Sequence, residues 1–330
     1  TRWAPAPLSR FAGRSGNCAV AVAKPPLVSI VTTSYNQAAY LEETIRSVLE
    51  QDYEPLEYIV VDDGSSDDSV EIIRRYADRL AWWTAQENAG QARALNVGFE
   101  HARGDLLGFL SSDDLLLPGA TSRLVAEFQR DPELALAYGG AVNIDAESKP
   151  FRTVRSGDWD IGYMARTARL LVPQPASLWS RRGWELVGPF NERAWSWFDA
   201  ELYFRLSTVG GVARIDAPLA AFRLHPESKQ MSRQEQMAEE SVRFADEFWG
   251  GDLPPELRRY SRAGRAGQYR RAALAYQASG QIPPARRLFL RSLLLSPRGI
   301  RTKQLRRLGV TLLPSAVMRR RRARAAGSRG

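Results

Sequence analysis

What most constrains this chain is a repeated switch, across its first half, from short β-branched runs to helical periodicity. Val28-Ser29-Ile30-Val31-Thr32-Thr33 reads as a strand buried on both faces, because β-branched side chains in an unbroken run suit a covered sheet. Leu41, Ile45, Val48 and Leu49 then recur at helical spacing and predict a helix over 38–51. Tyr58-Ile59-Val60-Val61 is a second strand, and Ser66 or Asp67 caps a helix carrying Val70, Ile73 and Tyr76. A third strand is expected over 81–84, a helix over 90–102 and a fourth strand over 106–110. Pro118 suits the opening of the next helix. Strands alternating with helices imply an α/β fold, a doubly wound, mostly parallel sheet with helices on both faces. Such sheets bind ligands at the carboxyl ends of their strands.

After Asp145 the pattern loosens. A strand is expected near 177–180, helices near 181–187 and 198–208, and a strand near 211–215. The organisation that follows is a loose arm over 1–26, an α/β domain over 27–230 and a helical, Arg-rich extension over 231–330. In the extension, Ala272–Tyr276, Gly280, Ala285, Leu288 and Pro297 suggest one tetratricopeptide-like helix pair or a plain helical cap, since solenoids need several repeats.

The 330 residues are 44% hydrophobic and 25% charged, a globular composition. One cysteine, Cys18, excludes an intrachain disulfide and fits a reducing cytoplasm. Two histidines and one cysteine exclude a closed Cys/His zinc site. A metal would be held by carboxylates and substrate phosphates, which points to Mg²⁺ or Mn²⁺. The net charge of +9 favours polyanionic partners. Much of it lies past Pro254 and ends in Arg319-Arg320-Arg321-Arg322-Ala323-Arg324. No apolar run is long enough to span a bilayer.

Two acidic pairs stand at strand ends. Asp62-Asp63-Gly64-Ser65 follows Val60-Val61 directly, where a carboxylate can accept hydrogen bonds from a base or ribose; an ordinary Asp-Gly turn would look the same. Ser111-Ser112-Asp113-Asp114 follows Phe109-Leu110. Adjacent carboxylates repel, and a divalent ion bridging to a diphosphate would relieve that. Tyr35-Asn36 after the first strand, and Asn88-Ala89-Gly90-Gln91 with Arg93, complete the crevice; Arg93 can pair with phosphate.

These residues together resemble the family 2 glycosyltransferases. The likeness begins at 28–76, continues through 88–98, 104–118 and 174–188, and reaches Ser228. It implies the GT-A type of this fold and an inverting transfer of sugar from a nucleotide donor. It implies that Thr33 and Tyr35 contact the base, that Asp62 and Asp63 bind base and ribose, and that Asp113 and Asp114 bind metal and diphosphate. Many relatives have Pro at the position of Thr33, and Ser111 stands where relatives often carry a further Asp. Asp199, in Phe198-Asp199-Ala200-Glu201-Leu202, takes the position of the catalytic base, with Phe198 where Glu is common. His225 in Arg223-Leu224-His225-Pro226 is a candidate contact to the diphosphate or metal, and Trp195 and Trp197 are candidates to stack on the acceptor or to fill the core.

The resemblance implies a UDP-sugar donor and a glycan or lipid-linked acceptor in cell-surface polysaccharide synthesis. The rival readings are a nucleotidyltransferase and a non-catalytic nucleotide- or polyanion-binding protein. The first lacks its Gly-rich basic loop after strand one, where Thr33-Ser34-Tyr35-Asn36-Gln37 stands, and no nucleic-acid module is readable. Val310-Thr311-Leu312-Leu313 and Val317-Met318 beside the Arg run suggest either peripheral contact with an anionic membrane, at the cytoplasmic face, or a solvated, disordered tail.

Overall fold

In the computed structural model, which describes residues 24–228 and 233–297, the first apolar run forms β1 (Val28–Ser34), buried throughout. Helix α1 (Ala38–Leu49) follows and turns Leu41, Ile45 and Val48 inward. Next come β2 (Leu56–Asp62), α2 (Ser69–Arg75), β3 (Trp82–Ala85), α3 (Gln91–His101) and β4 (Leu106–Ser111). These four strands are parallel and lie in the order β3-β2-β1-β4. The winding thus reverses at β1, and the crevice between the carboxyl ends of β1 and β4 is the switch point at which such sheets take ligands.

The strands read as unbroken apolar runs because both faces are covered. Ile30, Tyr58, Val60 and Leu110 enter one apolar cluster with α1, α2 and the helix α4 (Ala120–Arg130). Their neighbours Val31, Ile59, Leu107 and Phe109 point the other way, into a second cluster with Leu95 and Phe99 of α3. At about 25 cal/mol per Å² of apolar surface removed from water, these clusters dominate the stability of the domain.

Beyond β4 the sheet is mixed. The elements are β5 (Leu115–Leu116), β6 (Leu134–Ile144), β7 (Pro150–Val154), α5 (Ile161–Thr167), β8 (Ser177–Ser180), α6 (Arg181–Val187), α7 (Phe198–Leu206) and β9 (Gly211–Arg223). β8 runs antiparallel to both β4 and β6, and β9 runs parallel to β6 and antiparallel to β5. The parallel expectation therefore describes the first half of the sheet. β6 has no counterpart in the sequence reading, where its central Gly139-Gly140 pair interrupts the apolar pattern. β9 continues well past the expected 211–215, and this extension delivers Arg223 and His225 to the crevice.

The C-terminal elements are α8 (Gln234–Arg243) with a π-helical turn over Phe244–Phe248, then α9 (Pro255–Arg258), α10 (Ser261–Ser279) and α11 (Ile282–Leu295). α10 and α11 form one helix pair, with Gly280 in the left-handed region between them. The helices share a core with the α/β part: Met164 and Ala165 of α5 and Ala200 and Phe204 of α7 pack with Phe244, Trp249, Leu253 and Leu257. Contact is close because Gly267 lacks a side chain; a Cβ there would lie 2.1 Å from the Ala165 carbonyl oxygen. Among the described residues, no helix is long and apolar enough to cross a membrane. Cys18, most of the N-terminal arm, residues 310–318 and the run 319–324 lie outside the described residues.

Candidate active site

The strand register brings the candidate residues to one edge. Ser34 pairs with Asp62 and Thr33 with Ser111, so the turns after β1, β2 and β4 leave the sheet side by side. Asp62 is fully buried. Its Oδ1 accepts the Ser65 N–H at 2.8 Å and the Gly64 N–H at 3.2 Å, and its Oδ2 accepts the Ser65 hydroxyl at 2.6 Å. Asp63 reaches across to the loop before α3, accepting Gln86 Nε2 at 2.9 Å, the Ala89 N–H at 3.1 Å and the Gly90 N–H at 2.9 Å. Gly64 sits between the two loops at φ +87°, and a Cβ on it would come within 2.8 Å of the Asn88 backbone nitrogen. The first acidic pair thus builds the loops that carry Asn88 and Gly90.

Tyr35 is half exposed beside this edge. The hydroxyls of Thr33 and Ser34 are buried without a hydrogen-bond partner among the described residues. Buried polar atoms are normally satisfied, so such orphans mark places for a ligand or water. Arg93 pairs with Glu192 at 3.0 Å, and Asn96 holds the other Glu192 oxygen. The Arg93–Glu192 pair is solvent-exposed and worth at most about 1 kcal/mol, so a phosphate could displace it at little cost.

The second acidic pair divides. Asp113 keeps 21% side-chain exposure, and its Oδ2 lies 3.1 Å from His225 Nε2. Asp114 is not on the crevice surface as expected. It is 1% exposed, and its Oδ1 accepts the backbone N–H of Arg223 at 2.9 Å. Burial, reinforced by the charge of Asp113, holds the Asp114 carboxyl well above the usual carboxylate range. It is a structural group, and Asp113 alone of the pair faces the crevice. The contact with Asp113 raises the His225 imidazole above its ordinary value, Glu227 adds to this, and burial opposes it. Among the described residues no three His, Cys, Asp or Glu side chains form a complete metal site. Asp113 and His225 nevertheless converge as an oxygen and a nitrogen donor. That set suits Mn²⁺ better than Mg²⁺, with diphosphate and water oxygens completing the shell.

Asp199 lies in the first turn of α7, half buried, its Oδ1 on the Ala200 N–H at 2.8 Å. Phe198, in place of the expected Glu, is buried against Phe109 of β4 with ring centroids 6.1 Å apart, which brings the start of α7 against that strand. A hydrogen-bonded chain ties the two further: Tyr203 of α7 meets Ser177 at 2.7 Å, Ser177 donates to the Gln174 carbonyl, and Gln174 Nε2 donates to the Phe109 carbonyl at 2.7 Å.

Trp197 is partly buried. Its ring stacks on Phe244 at 5.4 Å and 10°, with the Arg271 guanidinium 5.0 Å from its centroid. It packs with the C-terminal helices, as the core alternative of its two expected roles would have it. The backbone N–H groups of Trp195 and Ser196 donate to Glu240 of α8 at 3.1 and 3.4 Å, so the extension also positions the segment leading into Asp199. Sequence reasoning missed Glu240, Gln174 and the role of Arg223. For Arg223 one signal existed: a charge ending the apolar run Ala220-Ala221-Phe222.

Residues 29–178 match the model of Glycosyl transferase family 2. The chain is similar to a chondroitin synthase of Escherichia coli, 30% identical over 225 residues that make up 67% of this chain and 32% of that protein. It is similar to a hyaluronan synthase of Pasteurella multocida, 30% identical over 188 residues, 56% of this chain and 19% of that one. An uncharacterized glycosyltransferase of Nostoc sp. is 26% identical over 226 residues, 66% of this chain and 70% of that one. The chain thus spans a third or less of the two synthases. Among solved structures, Staphylococcus aureus TarS 1–349 in complex with UDP-GlcNAc superposes with a TM-score of 0.60 at 17% identity, covering 81% of each chain. The mannosyltransferase PcManGT from Pyrobaculum calidifontis, in complex with GDP-Man and Mn²⁺, does so with a TM-score of 0.57 at 20% identity, covering 88% of this chain and 85% of that one. These likenesses establish a shared GT-A type fold.

Proposed function

We propose that this chain, whose residues 29–178 match the model of Glycosyl transferase family 2, is such an enzyme and transfers a sugar from a UDP-sugar to a hydroxyl of a growing cell-surface glycan, with inversion at the anomeric carbon. The observation that carries this reading is the Asp113–His225 contact just past the end of β4, at the β1/β4 switch point where Thr33, with its buried, unpartnered hydroxyl, pairs in register with Ser111. In this reading Thr33 and Tyr35 contact the base, and Asp62 and Asp63 shape the nucleoside pocket through their hold on Gly64, Ala89 and Gly90. Arg93 exchanges Glu192 for a phosphate oxygen. The UDP-GlcNAc complex of TarS supports UDP as the nucleotide, and the GDP-Man complex of PcManGT makes GDP the alternative.

Asp113 and His225 would hold Mn²⁺ or Mg²⁺ against the donor diphosphate, and the bound ion would stabilise the charge on the departing diphosphate. Asp199 takes the proton from the acceptor hydroxyl as that oxygen attacks the anomeric carbon opposite the leaving group. Phe198, next to Asp199 in the chain, packs with Phe109 and Phe190 in the apolar core. Loss of a general base costs on the order of a hundred- to ten-thousand-fold in rate. Asp199→Asn should therefore lose transfer by such a factor while UDP raises its melting temperature as in the parent. Transfer at the parent rate would sink the assignment. A melting panel of UDP-, dTDP- and GDP-sugars with and without Mn²⁺ identifies the donor; no shift with any of them refutes the reading.

We further propose that the protein works at the cytoplasmic face of a membrane, on a lipid-linked or nascent glycan. Leu290 and Leu294 are exposed on α11 beside Arg287 and Arg291, an apolar and basic combination suited to an anionic surface. Sedimentation with phosphatidylglycerol vesicles, with and without residues 308–330, tests this; equal recovery in the supernatant with and without vesicles refutes it.

A further inference from the structure

We propose that Arg223 is the positioning residue that sets the gap between Asp113 and His225. This rests on reading that gap as the metal and diphosphate site. The Arg223 side chain is 0% exposed, and a buried guanidinium persists only where its donors are met. Here Nε donates to the Asp113 carbonyl at 2.8 Å. Nη1 donates to the Asp145 carbonyl at 3.1 Å, the Ala146 carbonyl at 3.4 Å and the Ser148 hydroxyl at 2.8 Å. Nη2 meets Glu43 of α1 at 2.6 Å, and the guanidinium carbon lies 4.7 Å from the centre of the Tyr40 ring.

The choice of partners distinguishes this from a general tie. Arg223 grips Asp113 by its main-chain carbonyl and leaves the carboxylate to His225. Its own backbone N–H takes the Asp114 carboxylate. The acidic dipeptide is therefore pinned at both residues by one amino acid, and His225 stands two positions further along the same chain. Any shift of Arg223 moves the two donor atoms relative to each other. The rigid fork spans three separate elements at once: the turn after β4, the β6–β7 turn and α1. Lysine has a point charge on a flexible stem and cannot serve all three.

Groups that orient metal ligands typically change metal affinity 10- to 100-fold when lost. Mn²⁺ titrations followed by the electron paramagnetic resonance of free Mn²⁺, with UDP present and with GDP and dTDP in parallel, test the proposal on the full chain. Arg223→Lys should raise the Mn²⁺ dissociation constant about 10- to 100-fold. In turnover assays it should raise the Mn²⁺ requirement, with much of kcat recovered at saturating Mn²⁺. Uridine binding, which involves no diphosphate, should stay within about twofold of the parent, because the nucleoside loops have no hydrogen bond to Arg223. A folded Arg223→Lys protein that binds Mn²⁺ as tightly as the parent overturns the proposal, as does a lowered kcat with an unchanged Mn²⁺ requirement. If Arg223→Lys does not fold, the double variant Glu43→Gln, Ser148→Ala loosens the far end of the guanidinium while keeping its grip on Asp113. It should raise the Mn²⁺ dissociation constant several-fold, and an unchanged constant overturns the proposal. Failure of the parent chain to bind Mn²⁺ with any of the three nucleotides refutes the metal site itself, a result distinct from a parent that binds and a variant that binds equally.

Discussion

Asp63→Asn separates two jobs that a buried carboxylate at a strand end can do. The parent side chain is 3% exposed and accepts three hydrogen bonds, one from Gln86 and two from the backbone of Ala89 and Gly90. Asparagine has the same shape but offers a single oxygen. If that oxygen keeps Gln86 and Ala89, the new NH₂ group faces the Gly90 N–H, donor against donor. The change removes one charge-assisted hydrogen bond, worth about 1.5–3 kcal/mol, and strands a buried donor at about 1–3 kcal/mol. These overlap, so the net loss is about 3 kcal/mol. At roughly 2–4 °C per kcal/mol for a domain of this size, the melting temperature should fall by about 6–12 °C. The assay is thermal unfolding without nucleotide, alongside UDP binding. Binding should weaken too, because the loop carrying Asn88 and Gly90 loses its anchor. A variant that melts with the parent yet loses UDP binding would refute the reasoning and make Asp63 primarily a ligand contact.

Trp197→Ala should cost about 3 kcal/mol by calorimetry through lost packing on Phe244 and Arg271, and leave the acceptor KM within about twofold; a large rise in KM with an unchanged melting temperature would return Trp197 to the acceptor site. Gly267→Ala should destabilise the chain in urea although alanine favours helix by about 1 kcal/mol, because its methyl has no room beside Ala165; a stabilised variant refutes that contact. Burial raises the Glu201 carboxyl above its ordinary value, against the opposing effects of Arg205 and Asn191. The folded chain then holds this proton more tightly than the unfolded one. The contribution is complete below the unfolded value and is lost as pH rises through the folded one. Glu201→Gln should therefore gain in unfolding free energy relative to the parent as pH rises from the ordinary carboxylate value through the raised one, and a constant difference refutes the shift.

The α/β character, the four parallel strands, the helices between them and the crevice at their carboxyl ends were legible in the residues. These follow from local facts: β-branched runs, helical spacing and turn residues act over a few positions, and the chain order of strands and helices limits how a sheet can be wound. The acidic strand ends were legible for the same reason. The course of β6 was not, because its partners lie far along the chain and Gly139-Gly140 masks its pattern.

Tertiary structure decided which acids face the crevice. Asp113 and Asp114 are neighbours with identical side chains. One meets His225 across 112 positions and the other is buried beneath the Arg223 backbone. Trp197 could serve a sugar or a core on sequence grounds, and only the fold shows Phe244, from beyond residue 233, stacked on its ring. Likewise Arg223 spans to Glu43 over 180 positions. Hydrogen bonds and burial at that separation depend on which surfaces the fold brings together, and no local pattern carries that information.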